Sequence, residues 1–219
     1  MKSVRLRFLL ITLSVCAFGV MVLTNDSGGE VSLVPELLST GLLSFDWVEG
    51  ERSFSFTADP SLRLLHVQYV GGSIVYSTSY SLYADGRLVI QLSDPGGKRR
   101  VLNTYERKLS YEETEALVGL VVYAGFIESS REHIHELMKA AQGPALPRGS
   151  DSPDMVITVN LESYLGPGMT ALSPATNKIV LHNPSVYSER YPEIPEIQSL
   201  ATLQKVLHQY FKAAKKENP

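Results

Sequence analysis

The residues of this chain with side chains suited to proton transfer or metal binding are few, and most of them are dispersed. His133, His135 and Glu136 form the one metal-like cluster. On a helix, residues two apart point about 200° apart, so the two histidines cannot share an ion there, although on an extended segment they could. Ser129 followed three residues later by Glu132 is a capping pattern that predicts a helix, so the expected role is a solvated helix face. Asp151 and Asp154 flank Ser152-Pro153 in a loop, and paired carboxylates there can hold calcium or simply cap a turn. Two ligands do not make a metal site, and no metal or cofactor is expected. His66 and His182 each fall inside a predicted strand, where a lone histidine is more often hydrogen-bonded structure than a general base. Together, His66, His182, Asp151 and Asp154 would supply an exported hydrolase only if folding made them converge. There is no His-Glu-x-x-His, no glycine-rich phosphate loop with lysine and no nucleophile elbow. Gly166-Pro167-Gly168 opens no helix and is not a dinucleotide motif, and Asp85 is turn chemistry. These residues lean away from an enzyme.

Binding chemistry has a clearer compositional trace. The chain has 11 tyrosines, and Tyr69, Tyr76, Tyr80 and Tyr83 gather around one predicted hairpin. Aromatic residues favour strands, which accounts for their presence there. An exposed row of them also makes a good contact surface for protein or glycan, because each ring combines apolar area with a polar tip. Tyr76, Tyr80 and Tyr83 are therefore the candidate binding residues.

The elements that must position these residues are readable in part. Tyr80, Leu82 and Ala84 alternate with polar or outward residues, Asp85-Gly86 turns the chain, and Leu88, Ile90 and Leu92 alternate again. A two-residue Asp-Gly loop would pair Leu82 with Val89. A three-residue loop, Ala84-Asp85-Gly86, pairs Leu82 with Leu88 and Tyr80 with Ile90. Only the second puts both apolar sets on one face, so a type I turn closed by Gly86 in the left-handed conformation is expected. Strands are also predicted near Ser53–Thr57 and over Leu62–Val70, Lys98–Lys108, Met155–Tyr164 and Lys178–His182, with a turn at Asp94-Pro95-Gly96-Gly97. Ser110 with Glu113 is a capping box that opens a helix with a buried stripe of Leu117, Leu120, Val121 and Ala124, stopped by Gly125. The Ser129/Glu132 helix ends near Gly143, and Pro144–Pro153 is a loop. A tail helix from about Pro195 to Lys215 carries Ile197, Leu200, Leu203, Leu207 and Tyr210 on one face, with acids at its start and lysines at its end. Strand runs followed by helix runs predict an α+β fold, an antiparallel sheet with helices packed on one face.

The ends and the charge bound the location and the partners. Lys2, Arg5 and Arg7 precede 16 uncharged residues, Phe8 to Leu23, and a polar exit follows. That is the pattern of a secretory signal. The run is just short of the ~17–20 residues a spanning helix needs, which favours cleavage, while an uncleaved anchor would leave the rest of the chain outside. Leu13-Ser14-Val15-Cys16 also looks like a lipoprotein box with Val15 in place of a small residue. Cys16 is the single cysteine, so a mature domain has neither disulfide nor thiolate. The whole chain carries −3, and removing three basic residues and one acid with residues 1–29 leaves about −5. With no basic excess and no Lys/Arg patch, no nucleic-acid partner is expected. The expected division is residues 1–29 as signal or membrane anchor, 30–60 as linker and irregular segment, and 61–215 as the α+β domain.

Tyr80–Leu88, Lys108-Leu109-Ser110-Tyr111-Glu112-Glu113 and Ala124-Gly125-Phe126 together resemble a pattern of small exported bacterial proteins of uncharacterised function. In those proteins a strand ending in Asp-Gly is followed by another strand, and Leu-Ser-x-x-Glu then opens a helix that stops at a Gly-Phe-like end. The resemblance spans about 50 residues and consists of turn and cap chemistry. It implies a periplasmic, secreted or outer-side membrane location and no catalytic residue. The function expected is a non-enzymatic module binding a protein or an envelope polymer. The alternatives are a structural part of an anchored envelope complex, touching the membrane only through residues 8–23, and an exported hydrolase.

Overall fold

The computed structural model describes residues 52–72, 76–94, 100–141 and 152–217. The expected signal or anchor segment, Cys16, Asp151 and most of the 144–153 loop lie outside the described residues. The described chain forms seven strands and four helices: β1 (Ser53–Ser55), β2 (Arg63–Val70), β3 (Ser77–Tyr83), β4 (Arg87–Ser93), β5 (Val101–Lys108), α1 (Tyr111–Val122), α2 (Arg131–Ala140), β6 (Asp154–Leu165), β7 (Ser173–His182), α3 (Pro184–Arg190) and α4 (Pro195–Glu217). Every strand pair is antiparallel, in the order β1-β6-β2-β3-β4-β5, with β7 on β6. The twelve-residue β6 carries β7 along one edge. Its other edge is shared by β2, against Asp154–Val159, and β1, against Ser163–Leu165. β1 falls within the stretch where a strand was expected, near Ser53–Thr57.

The hairpin β3–β4 has the register that its alternation demands. Leu82 pairs with Leu88 and Tyr80 with Ile90. The Gly86 amide donates to the Tyr83 carbonyl at 2.9 Å, and Gly86 has φ +88°. A second constraint acts on the same residue. The Leu109 amide donates to the Gly86 carbonyl at 2.8 Å, and a Cβ on Gly86 would sit 2.4 Å from the Leu109 carbonyl oxygen. Both the turn and the start of α1 therefore require glycine here.

Period-two alternation sorts the sheet into two faces. The inner face carries Leu65, Val67, Tyr80, Leu82, Leu88, Ile90, Tyr105, Met155, Ile157, Val159, Ile179 and Leu181, all buried. Three helices lie on this face. Leu117, Leu120 and Val121 of α1, Ile134 of α2, and Ile197, Leu200, Leu203 and Leu207 of α4 are buried against it. The Phe211 ring of α4 meets Tyr105 of β5 edge-on at 5.8 Å, and the Ser199 hydroxyl of α4 donates to the Leu120 carbonyl of α1. Arg107, inward on β5, reaches Glu217 at 3.4 Å and lies 5.6 Å from the Tyr210 ring, which pins the end of α4 to the sheet.

The helix ends follow cap chemistry, with one shift. Ser110 and Glu113 form the full reciprocal capping box of α1, worth about 1 kcal/mol. After α1 the Phe126 amide returns to the Val121 carbonyl at 3.0 Å, with Gly125 at φ +79°. Helix α2 is capped by Ser130, which accepts from the His133 amide at 3.0 Å, and not by Ser129. Ser129 is buried, and its carbonyl accepts from the Asn177 side chain at 2.9 Å. With Ser129 held in that way, the next serine takes the cap position. Helix α3 was not expected at all.

Candidate functional site

The outer face of the sheet is built from the alternate residues of the same strands. In register, one row across it reads Lys178, Thr158, His66, Ser81, Val89 and Glu106. The next reads Val180, Val156, Gln68, Ser79, Gln91 and Thr104. Hydroxyls and amides separated by valines make a surface that hydrogen-bonds without strong net charge. Five strand gaps of about 4.8 Å give each row a span of about 24 Å.

The tyrosines do not form one row on this face. Tyr76 is exposed at 52%. Tyr80 is 4% exposed and packs edge-on against Tyr69 at 6.2 Å, because its parity is that of Leu82 and Ile90. Burial drives the hydroxyl pKa of both Tyr69 and Tyr80 upward. Tyr80 is therefore a core residue, which corrects its assignment as a contact residue. Tyr83 has the opposite parity and lies at the hairpin end, with the Arg87 guanidinium 4.4 Å from its ring centre. Tyr83 and Tyr76 thus stand at opposite ends of β3.

His66 lies in the middle of the outer face, its Nδ1 3.0 Å from the Ser81 hydroxyl. Burial, then the charges of Arg63 and Lys178, hold its pKa below the ordinary histidine value. In register it is four residues along β2 from Val70, the partner of Asp154, or about 13 Å. The structure thus separates His66 from Asp154 and His182.

Asp154 and His182 do come together. They are directly paired across β6 and β7, and His182 Nδ1 lies 2.9 Å from Asp154 Oδ1. The cross-strand spacing of side chains, about 5 Å between Cβ atoms, makes this contact possible. The chain then turns sharply. Asn183 has φ 37°, the single positive value among the described non-glycine residues. Its side-chain amide donates to the Ser152 hydroxyl at 2.9 Å. Pro184 opens α3, and one turn later Tyr187 sets its ring edge-on to His182 at 6.4 Å. Tyr191 follows at 6.2 Å from Tyr187, with the Arg190 guanidinium 5.7 Å from the Tyr191 ring. Arg190 Nε and Nη2 are buried and have no hydrogen-bond partner among the described residues. Burial raises the Tyr187 hydroxyl pKa first, and Tyr191 and Asp154 add to this, while Arg131 and Arg190 oppose it. Asn183, Tyr187 and Arg190 had no signal in the sequence beyond an Asn-Pro step, since seven residues are too few to show helical periodicity.

The remaining candidates are peripheral. His133 and His135 are exposed on α2, His133 lies 3.9 Å from Glu196, and Glu136 pairs with Lys139 at 2.6 Å. Among the described residues no group of three or more His, Cys, Asp or Glu is arranged to hold a metal, and no helix is long and apolar enough to cross a membrane. The chain matches no protein-family model and no curated protein in sequence.

Proposed function

We propose that the protein is a non-catalytic binding module working outside the cytoplasm, and that it holds an extended protein segment or envelope polymer on the outer face of its sheet. The observation that carries this is the face itself. Three helices cover the inner side, while the outer side offers Gln68, Ser79, Ser81, Gln91, Thr104 and Thr158 in two aligned rows. At about 24 Å, a row is the length of a seven-residue extended segment. An export pattern at residues 1–29 and the resemblance at the hairpin and α1 support the location. The test is a double substitution, Gln68→Lys with Gln91→Lys, in the full chain; the two positions share a row but lie on non-adjacent strands. Retention of envelope material from the host should fall at least tenfold with the thermal transition unchanged. Unchanged retention in the folded variant would overturn the choice of surface.

A second reading keeps a specific observation, the Asp154–His182 pair. A carboxylate that orients an imidazole is the supporting half of a proton-transfer site. As an exported hydrolase the protein would lose turnover on replacement of either residue. Hydrolysis that survives Asp154→Asn with His182→Gln would remove this reading.

A further inference from the structure

Beyond the sheet face, the corner where β7 meets α3 carries charge that the fold does not use. Arginine's five N–H donors form a rigid fork, and buried ones are normally all paired. Arg190 departs from this at Nε and Nη2. These are the two donors on one edge of the guanidinium plane, pointing in parallel. That edge is the one that grips a planar oxyanion side-on through two parallel hydrogen bonds. Leaving that edge buried and unpaired is unfavourable, because the donors lose water and gain nothing in return. The rest of the corner is arranged around it. Tyr191 holds the guanidinium face. Tyr187 feels the positive charge of both Arg131 and Arg190, and the negative charge of Asp154. Asn183 takes the left-handed backbone, φ 37°, that makes the bend between β7 and α3.

We infer that Arg190 is the anchor of a carboxylate-binding site at the β7–α3 corner, flanked by Tyr187 and Tyr191. A carboxylate fits better than a phosphate for two reasons. It is planar and matches the two-donor edge, and it carries one charge, so Asp154 nearby repels it less than it would a dianion. Arg190 as a whole is part-exposed, while its Nε and Nη2 are buried.

The test is a titration of the full chain in a non-ionic detergent, followed by the Arg190 Nε–Hε resonance. The probes are N-acetylglycine, its uncharged amide N-acetylglycinamide, and inorganic phosphate. The expected result is a saturable shift with N-acetylglycine, none with the amide and weaker binding of phosphate. Arg190→Lys, which keeps the charge and loses the fork, should weaken the carboxylate at least tenfold. Equal shifts from carboxylate and amide, or no saturable shift up to tens of millimolar, would overturn the site. Tighter binding of phosphate would overturn the choice of carboxylate. The comparison of carboxylate with amide is made on the unaltered chain and stands whether or not the lysine variant folds.

Discussion

The hairpin end and the β7–α3 corner each place an arginine over a tyrosine, and they differ in what the rest of the guanidinium does. At the hairpin, Arg87 lies 4.4 Å over Tyr83 and its Nη2 donates to the Pro60 carbonyl at 3.1 Å. Asp85 is 3.9 Å away and also takes Lys108 at 3.4 Å. At the corner, Arg190 lies 5.7 Å from Tyr191, and two of its buried donors have nothing to bind among the described residues. The first arrangement is finished by the fold and locks the turn to β5. The second is left open by the fold, at a cost in stability. Strain and unpaired polarity that a fold tolerates collect where a ligand acts.

The largest way to break this contrast is at the hairpin backbone. Gly86→Ala should cost about 3 kcal/mol, since a side chain would combine a left-handed φ with a clash against the Leu109 carbonyl. A denaturant midpoint checks it, and binding by the folded fraction should be unaffected. Arg87→Met should cost about 1 kcal/mol through loss of the ring contact and the Pro60 hydrogen bond. Arg190→Met sharpens the comparison by reversing the sign. Removing the unpaired donors and keeping the apolar stem should leave stability unchanged or raise it by up to about 1 kcal/mol. A loss as large as that of Arg87→Met would show that Arg190 is as fully used by the fold as Arg87.

The smallest effect is one of pH at the outer face. Burial, Arg63 and Lys178 hold the His66 pKa below its unfolded value. Above about pH 6.5 both states are neutral there and His66 contributes nothing. As pH falls below that value the unfolded chain takes up the proton first, so folding stability declines. His66→Gln should reduce the difference between urea midpoints at pH 7.5 and pH 5.5. An unchanged difference would mean that His66 titrates normally in the fold.

Local chemistry made much of this fold legible. The β3–β4 register followed from one alternation argument, because a shift of a single residue would have put Leu88 and Ile90 on the wrong face. The capping box of α1 and the tail helix were visible for similar reasons. What was not legible depended on contacts distant in sequence. Ser129 lost its cap role to Ser130 because Asn177, on β7, holds its carbonyl. Tyr80 was placed among the contact residues although its parity with Leu82 had already turned it inward. Asp154 and His182 are 28 residues apart, and only the pairing of β6 with β7 brings them together. Arg190 could not be recognised at all, since a missing partner is a property of the folded surroundings.

The most direct measurement for the binding function is photo-crosslinking from two positions of the full chain in its host. A photoreactive phenylalanine analogue would replace Gln91 on the outer face in one variant and the exposed Lys205 of α4 in the other. The sheet-face function predicts a discrete adduct from position 91 and none from position 205. An adduct from position 205 alone, or equally from both, would contradict it.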